Sequence, residues 1–235
     1  MSAFDGDGNK SYKFTATPDY FRTIAQPGSS GMRFSRTEIT HILISVAVLT
    51  VAFAIAIIGG IRGLSDFDPV LFAYILGASF LAVASGFLLH ELSHKLVAQG
   101  YGCFAEFRMY PMGIMFGLLT SLFGMLLALP GAVMIAGRIT KKQNGIISAA
   151  GPMINLLIGG VCLAAAVSLE TETLLWLIVG IVAFINIFLA FFNMLPIPPL
   201  DGSKVLHWSI FVYLGMMAVA VAMLAVFHQY MWHFI

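Results

Sequence analysis

Five long apolar runs separated by short polar links organise the chain after residue 38. They cover about 39–61, 70–98, 146–169, 174–195 and 208–230. About 20 apolar residues in a helix cross a ~30 Å hydrocarbon core, so each run predicts a membrane-spanning helix. Arg62, Asp66 and Asp68 mark the first link, and Glu170 and Glu172 the turn after the third run. Pro196, Pro198 and Pro199 stop the fourth run, because proline lacks the amide that a continuing helix needs. The second run, as one helix, would be about 45 Å long, so it must tilt or project.

Residues 104–137 are also apolar but are broken by Pro111, Gly113, Gly117, Gly124, Pro130, Gly131 and Gly137. Hydropathy alone would make 118–135 a further span. Charge argues against it. With five spans, Lys10, Lys13, Arg22, Arg33, Arg36, Lys95, Arg108, Arg138, Lys141, Lys142 and Lys204 share one side, and only Arg62 lies on the other. A sixth crossing would move Arg138, Lys141, Lys142 and Lys204 across. Lysine and arginine collect on the cytosolic side, so the lopsided arrangement is expected, with the N-terminus cytosolic and the C-terminus outside. Residues 104–137 then dip in and return, as a re-entrant segment or small interfacial sheet. Their backbone polar groups need partners within the protein, since lipid offers none. The expected fold class is an all-α polytopic membrane protein of about five transmembrane helices, with a re-entrant β-like segment between the second and third.

Composition narrows the function. The chain is 60% hydrophobic and 10% charged, against about 45–50% and about 25% in soluble domains. That excludes a water-soluble globular enzyme and a disordered protein. The net charge of +1 gives no pull toward nucleic acid. Two cysteines, Cys103 and Cys162, argue against a disulfide framework. Residues 1–37 form a polar tail with no apolar signal-peptide core. Gly28-Ser29-Ser30-Gly31 ahead of Met32 reads as a flexible linker before a start, so 1–31 is either an appended leader or a natural cytosolic tail.

Against this apolar background, His90-Glu91-Leu92-Ser93-His94 stands out near the cytosolic end of the second span. Residues at i and i+4 project about 40° apart on a helix, so both imidazoles face one way. They can occupy two corners of a zinc tetrahedron. Glu91 adjoins the first ligand and can take a proton from a water beside the metal. Three ionisable groups in one intramembrane turn are costly unless used. The bland alternative is a hydrogen-bonded polar cluster. Zinc needs a third protein ligand, and acids are few. Val97 and Gly100 stand where a metzincin has glycine and histidine, and 107–169 contains no acid. Elimination leaves Glu106 and Asp201. Asp201 follows the fourth span, which runs in the same direction as the second, so it falls in the same leaflet as the histidines. His207 is a further rival. Asn193 either bonds a neighbouring helix or aims its amide at a developing oxyanion. Asn155 is expected to hydrogen-bond within the core, and Ala149, Ala150 and Gly151 to permit close helix packing.

The chain resembles the site-2 proteases, the M50 intramembrane zinc metalloproteases, most of all their small archaeal members. The resemblance rests on HELSH, on Gly151-Pro152-Met153-Ile154-Asn155, and on Asn193-x-x-Pro196 with Pro199-Leu200-Asp201-Gly202. It covers about residues 39–204. It implies one zinc ion per chain on His90, His94 and Asp201, Glu91 as general base and Asn193 in support. It implies a single membrane-embedded metalloprotease domain over 38–235, with the active site in the cytosolic half of the cell membrane. The partners it implies are the bilayer and a membrane-anchored protein substrate, such as a transcription regulator or anti-sigma factor. The competing class is a metal transporter or an inactive scaffold. A pure metal conduit would not need Glu91 as a base.

Overall fold

The computed structural model describes residues 33–65, 68–171 and 173–231. The expectations for residues 1–32, their origin included, lie outside the described residues. Among the described residues five helices are long and apolar enough to cross a membrane, which makes this a multi-pass membrane protein of the expected all-α class. Helix α1 is Arg36–Ile57, capped by Ser35, whose hydroxyl accepts the Glu38 amide at 3.0 Å. A short helix α2, Ile61–Ser65, follows it. Helix α3, Pro69–Gly100, runs for 32 residues. It starts on Asp68, whose Oδ1 accepts the Val70 amide at 2.8 Å, with Pro69 in the first turn where its missing amide costs nothing. Helices α5, Lys141–Ser168, and α6, Leu174–Asn193, pair along their length, and α3 packs on both. Helix α8, Ile210–Met231, closes the far side of that pair.

The element boundaries have local causes. Helix α5 begins five residues before the apolar run does, because Thr140 and Gln143 form a reciprocal capping box. Helix α3 carries a π turn at Ala84–Leu88, just ahead of the histidines. The Ser85 hydroxyl donates there to the Leu81 carbonyl at 2.8 Å, and Gly86 lies against Leu189 and Asn186. Between α6 and α8 the proline-rich stretch is followed by a helix the pattern did not predict. This is α7, Asp201–Trp208, with Asp201 as its first residue.

Residues 104–137 do not form a span. Strands β1, Phe104–Met109, and β2, Gly131–Ala136, pair antiparallel from Phe104↔Ala136 to Met109↔Gly131. Helix α4, Pro111–Ser121, descends between them along α1. At 11 residues it is about 16 Å long, too short to cross alone. The Leu122 carbonyl accepts the Ile61 amide at 2.8 Å, so the segment reaches the far end of α1 before the chain returns through 125–130. Both expected forms are therefore present, a re-entrant excursion and a small sheet. Its backbone finds partners in protein: the Tyr110 amide donates to Pro130 O at 2.9 Å, and the Leu127 amide to Thr120 Oγ1 at 3.1 Å.

Candidate metal centre

His90 and His94 stand on α3 directly after the π turn. One inserted residue turns all later side chains by about 100° relative to a regular helix, which aims this stretch at α5. Asp201 arrives from a different part of the chain. Gly202 makes its approach feasible: a Cβ there would lie 2.1 Å from the Met194 carbonyl, so only glycine lets the start of α7 rest on the end of α6. Met194 and Val205, both fully buried, anchor the junction.

The three side chains are buried, and one ligand atom from each lies within 4.8 Å of the others. Nε2 of His90 is 3.3 Å and Nε2 of His94 is 3.0 Å from Asp201 Oδ2. Four-coordinate zinc with ~2.05 Å bonds separates its ligand atoms by about 3.3 Å, so the spacing fits. The protonation pattern fits as well. His94 Nδ1 lies 2.7 Å from the Ile147 carbonyl. Donation there fixes the proton on Nδ1 of the neutral ring and leaves a lone pair on Nε2. That lone pair faces a carboxylate oxygen, and two acceptors at such a distance require a cation. When that cation is a proton on the ring, burial still raises the Asp201 carboxyl, but the His94 charge and hydrogen bonds from both imidazoles outweigh it and hold the group well below the usual carboxylate range. Lys204 Nζ, 3.3 Å from Oδ1, engages the other carboxylate oxygen.

Gly151 borders this group on α5. A Cβ there would sit 2.5 Å from Nε2 of both histidines. The small residues at 149–151 were expected to serve helix packing, and at Gly151 the partner of that packing is the pair of ligand nitrogens. Glu91 is outside the ligand group. Its carboxylate lies near the backbone amide of Val133 on β2. Asn193 donates its amide to the Leu189 carbonyl of its own helix at 2.9 Å, so it must rotate to serve an oxyanion. Asn155, expected to hydrogen-bond in the core, is fully buried, and neither side-chain polar atom has a partner.

The rivals for the third ligand lie elsewhere. Glu106 engages the Ser35 hydroxyl and Arg108, whose Nη2 is 3.0 Å from it. His207 is exposed on α7. The sequence reading missed Glu38 and Lys95. Glu38, at the junction of the polar tail and the first span, is not among the acids that elimination retains, and Lys95 enters the sequence reading only as a topological charge. They form a salt bridge at 2.6 Å with side chains 0% and 1% exposed. A cation within an apolar helix needs a partner, which was the available signal.

The family model "Peptidase family M50" matches residues 170–226, which include Asn193 and Asp201. A "Putative zinc metalloprotease" of Methanocaldococcus jannaschii is 41% identical over 184 residues, 77% of this chain and 89% of that protein. The chain belongs to peptidase family M50. A second protein of that organism, a "Zinc metalloprotease", is 29% identical over 172 residues, 72% of this chain but only 43% of the relative. No solved structure matches. As an M50 site-2 protease the chain is a zinc metalloprotease, a hydrolase whose metal is Zn²⁺, and His90, His94 and Asp201 are the residues that would hold it.

Proposed function

We propose that this M50 enzyme hydrolyses a peptide bond within or at the edge of the bilayer, in the transmembrane segment of a membrane-anchored protein. The observation that carries this reading is the buried His-His-Asp group whose two histidines stand on a membrane-spanning helix, with a strand edge near the adjacent glutamate. Zinc, when bound, acidifies water and polarises a carbonyl. Glu91 takes the proton of the attacking water and delivers it to the leaving amine. Glu91 is half-buried and directly follows the ligand His90 on α3.

A substrate helix hides its carbonyls in its own hydrogen bonds, so the scissile stretch must be extended. Strand addition supplies an alternative set of partners. In an antiparallel pair both polar groups of a residue point the same way, alternately inward and outward. The Phe107 amide points away from β2, to Glu38 at 2.9 Å. Its partner Val133 therefore points away from β1, together with Gly131 and Ile135. This outer edge of β2 lies at Glu91 and is the edge we assign to the substrate. The positive-inside asymmetry supports a cytosolic N-terminus and a site on the cytosolic side.

The test uses a synthetic single-span peptide of about 20 apolar residues, with fluorophore and quencher flanking a glycine-containing stretch. The purified wild type should cleave it in a zinc-dependent way. Glu91→Gln should keep stoichiometric zinc and lose at least about a thousandfold in rate. Unimpaired cleavage by Glu91→Gln would remove the mechanism.

A further inference from the structure

The Glu38–Lys95 pair is not part of the His90, His94 and Asp201 group and has no role in the chemistry above. Lys95 Nζ is 2.7 Å and 2.6 Å from the two Glu38 oxygens. It also donates to the Arg33 carbonyl at 2.6 Å and stands 4.0 Å over the Phe34 ring. Burying two charges costs several kcal/mol of hydration, and well-packed apolar residues often hold helices together as well or better. Adhesion between α1 and α3 therefore does not explain the charges. A carboxylate can do one thing here that an apolar side chain cannot. Glu38 Oε1 accepts the Phe107 amide at 2.9 Å.

That bond links the catalytic helix to the hairpin. Lys95 follows the ligand His94 on α3 and holds Glu38 on α1. Glu38 holds Phe107 on β1, which pairs with Val133 on β2, the strand packed against the Glu91 end of α3. One turn further along α1, His41 Nδ1 takes the next outward amide, Met109, at 3.4 Å. The outer edge of β1 is thus occupied by side chains of α1. The hairpin has two edges, and α1 has closed one.

We propose that Glu38, held by Lys95, is a positioning residue for substrate: it closes the outer edge of β1 and sets the hairpin so that an extended substrate pairs only with β2, at Glu91. This rests on the strand-addition reading above. Two double variants separate positioning from simple structural support. E38Q/K95M keeps an oxygen to accept the Phe107 amide, whereas E38L/K95M does not, and both remove the buried charges. Both should fold and bind one zinc. With the fluorogenic single-span peptide, E38L/K95M should show a KM about tenfold above that of E38Q/K95M, the effect of one lost hydrogen bond on placement, with kcat alike within about twofold. Equal KM values would overturn the proposal while leaving the protease intact. Absence of cleavage by the wild type would remove the strand-addition reading, and the proposal with it. A second arm does not depend on folding of the leucine variant. In Glu91→Gln, amide hydrogen exchange at Phe107 and Met109 should be slow before the peptide is added and unchanged after. Exchange at Gly131 and Ile135 should slow only with peptide. Peptide-dependent slowing on β1 instead would overturn the edge assignment.

Discussion

At the scale of single residues, the metal group depends on space as much as on donors. Gly151 matters for what it lacks: the added Cβ of Gly151→Ala would meet both ligand nitrogens at 2.5 Å. We expect that variant to lose most of its zinc and its activity. Gly215→Ala should have little effect, since a Cβ there meets nothing within 4 Å. Metal analysis of the two purified variants checks this, and normal zinc in Gly151→Ala would show that α5 can yield. The third ligand separates from its rivals in the same assay. Asp201→Ala leaves a two-ligand site and should lose zinc and cleavage together. Glu106→Ala and His207→Ala should each retain stoichiometric zinc, because one is engaged by Ser35 and Arg108 and the other is exposed. Zinc retained by Asp201→Ala and lost from either rival would reverse the assignment.

At the scale of elements, the proposed role of the β1–β2 hairpin is to join recognition to chemistry. Proline is a selective probe because it removes one amide donor. Val133→Pro deletes an outward amide, the one at Glu91, and spares the ladder to β1. Zinc content should stay normal while cleavage of the single-span peptide falls about tenfold or more. Full activity of this variant would argue against the β2 edge as the substrate platform. The π turn of α3 is an element-level device too. It sits between the regular upper part of the helix and the turn that carries the ligands, with Gly86 against α6. Without the inserted residue, His90 and His94 would point about 100° elsewhere.

At the scale of the whole molecule, the bundle is built so that one end carries the chemistry. The start of α1, the end of α3, the hairpin, the start of α5 and the short helix α7 all meet there, whereas α4 and the 122–124 turn reach the opposite end. The charge asymmetry supports the proposed cytosolic placement of the site end. A single cysteine at Gln143, in a protein whose Cys103 and Cys162 have been replaced, checks the orientation. It should react with a membrane-impermeant thiol reagent only after the cells are opened. Labelling of intact cells from outside would invert the topology, and with it the side from which water and products move.

Local periodicity and charge carried much of this into view. The five spans were legible because a helix in lipid must be apolar along its whole length. HELSH was legible because i and i+4 share a helix face whatever surrounds them. Residues 104–137 were legible as a non-span because lysine and arginine distribute by side. Helix α7 was not legible, because its eight residues are held by packing on Met194 and Val205 rather than by their own pattern. The π turn, the fit of Gly151 against two imidazoles and the hold of Glu38 on Phe107, 69 residues away, were equally hidden. Each depends on which distant surfaces come into contact. The sequence by itself determined the membrane class, the pair of histidines and the short list of acids. Only the tertiary structure decided which acid meets the histidines and which strand edge meets Glu91, since proximity between residues far apart in the chain is set by how the helices pack.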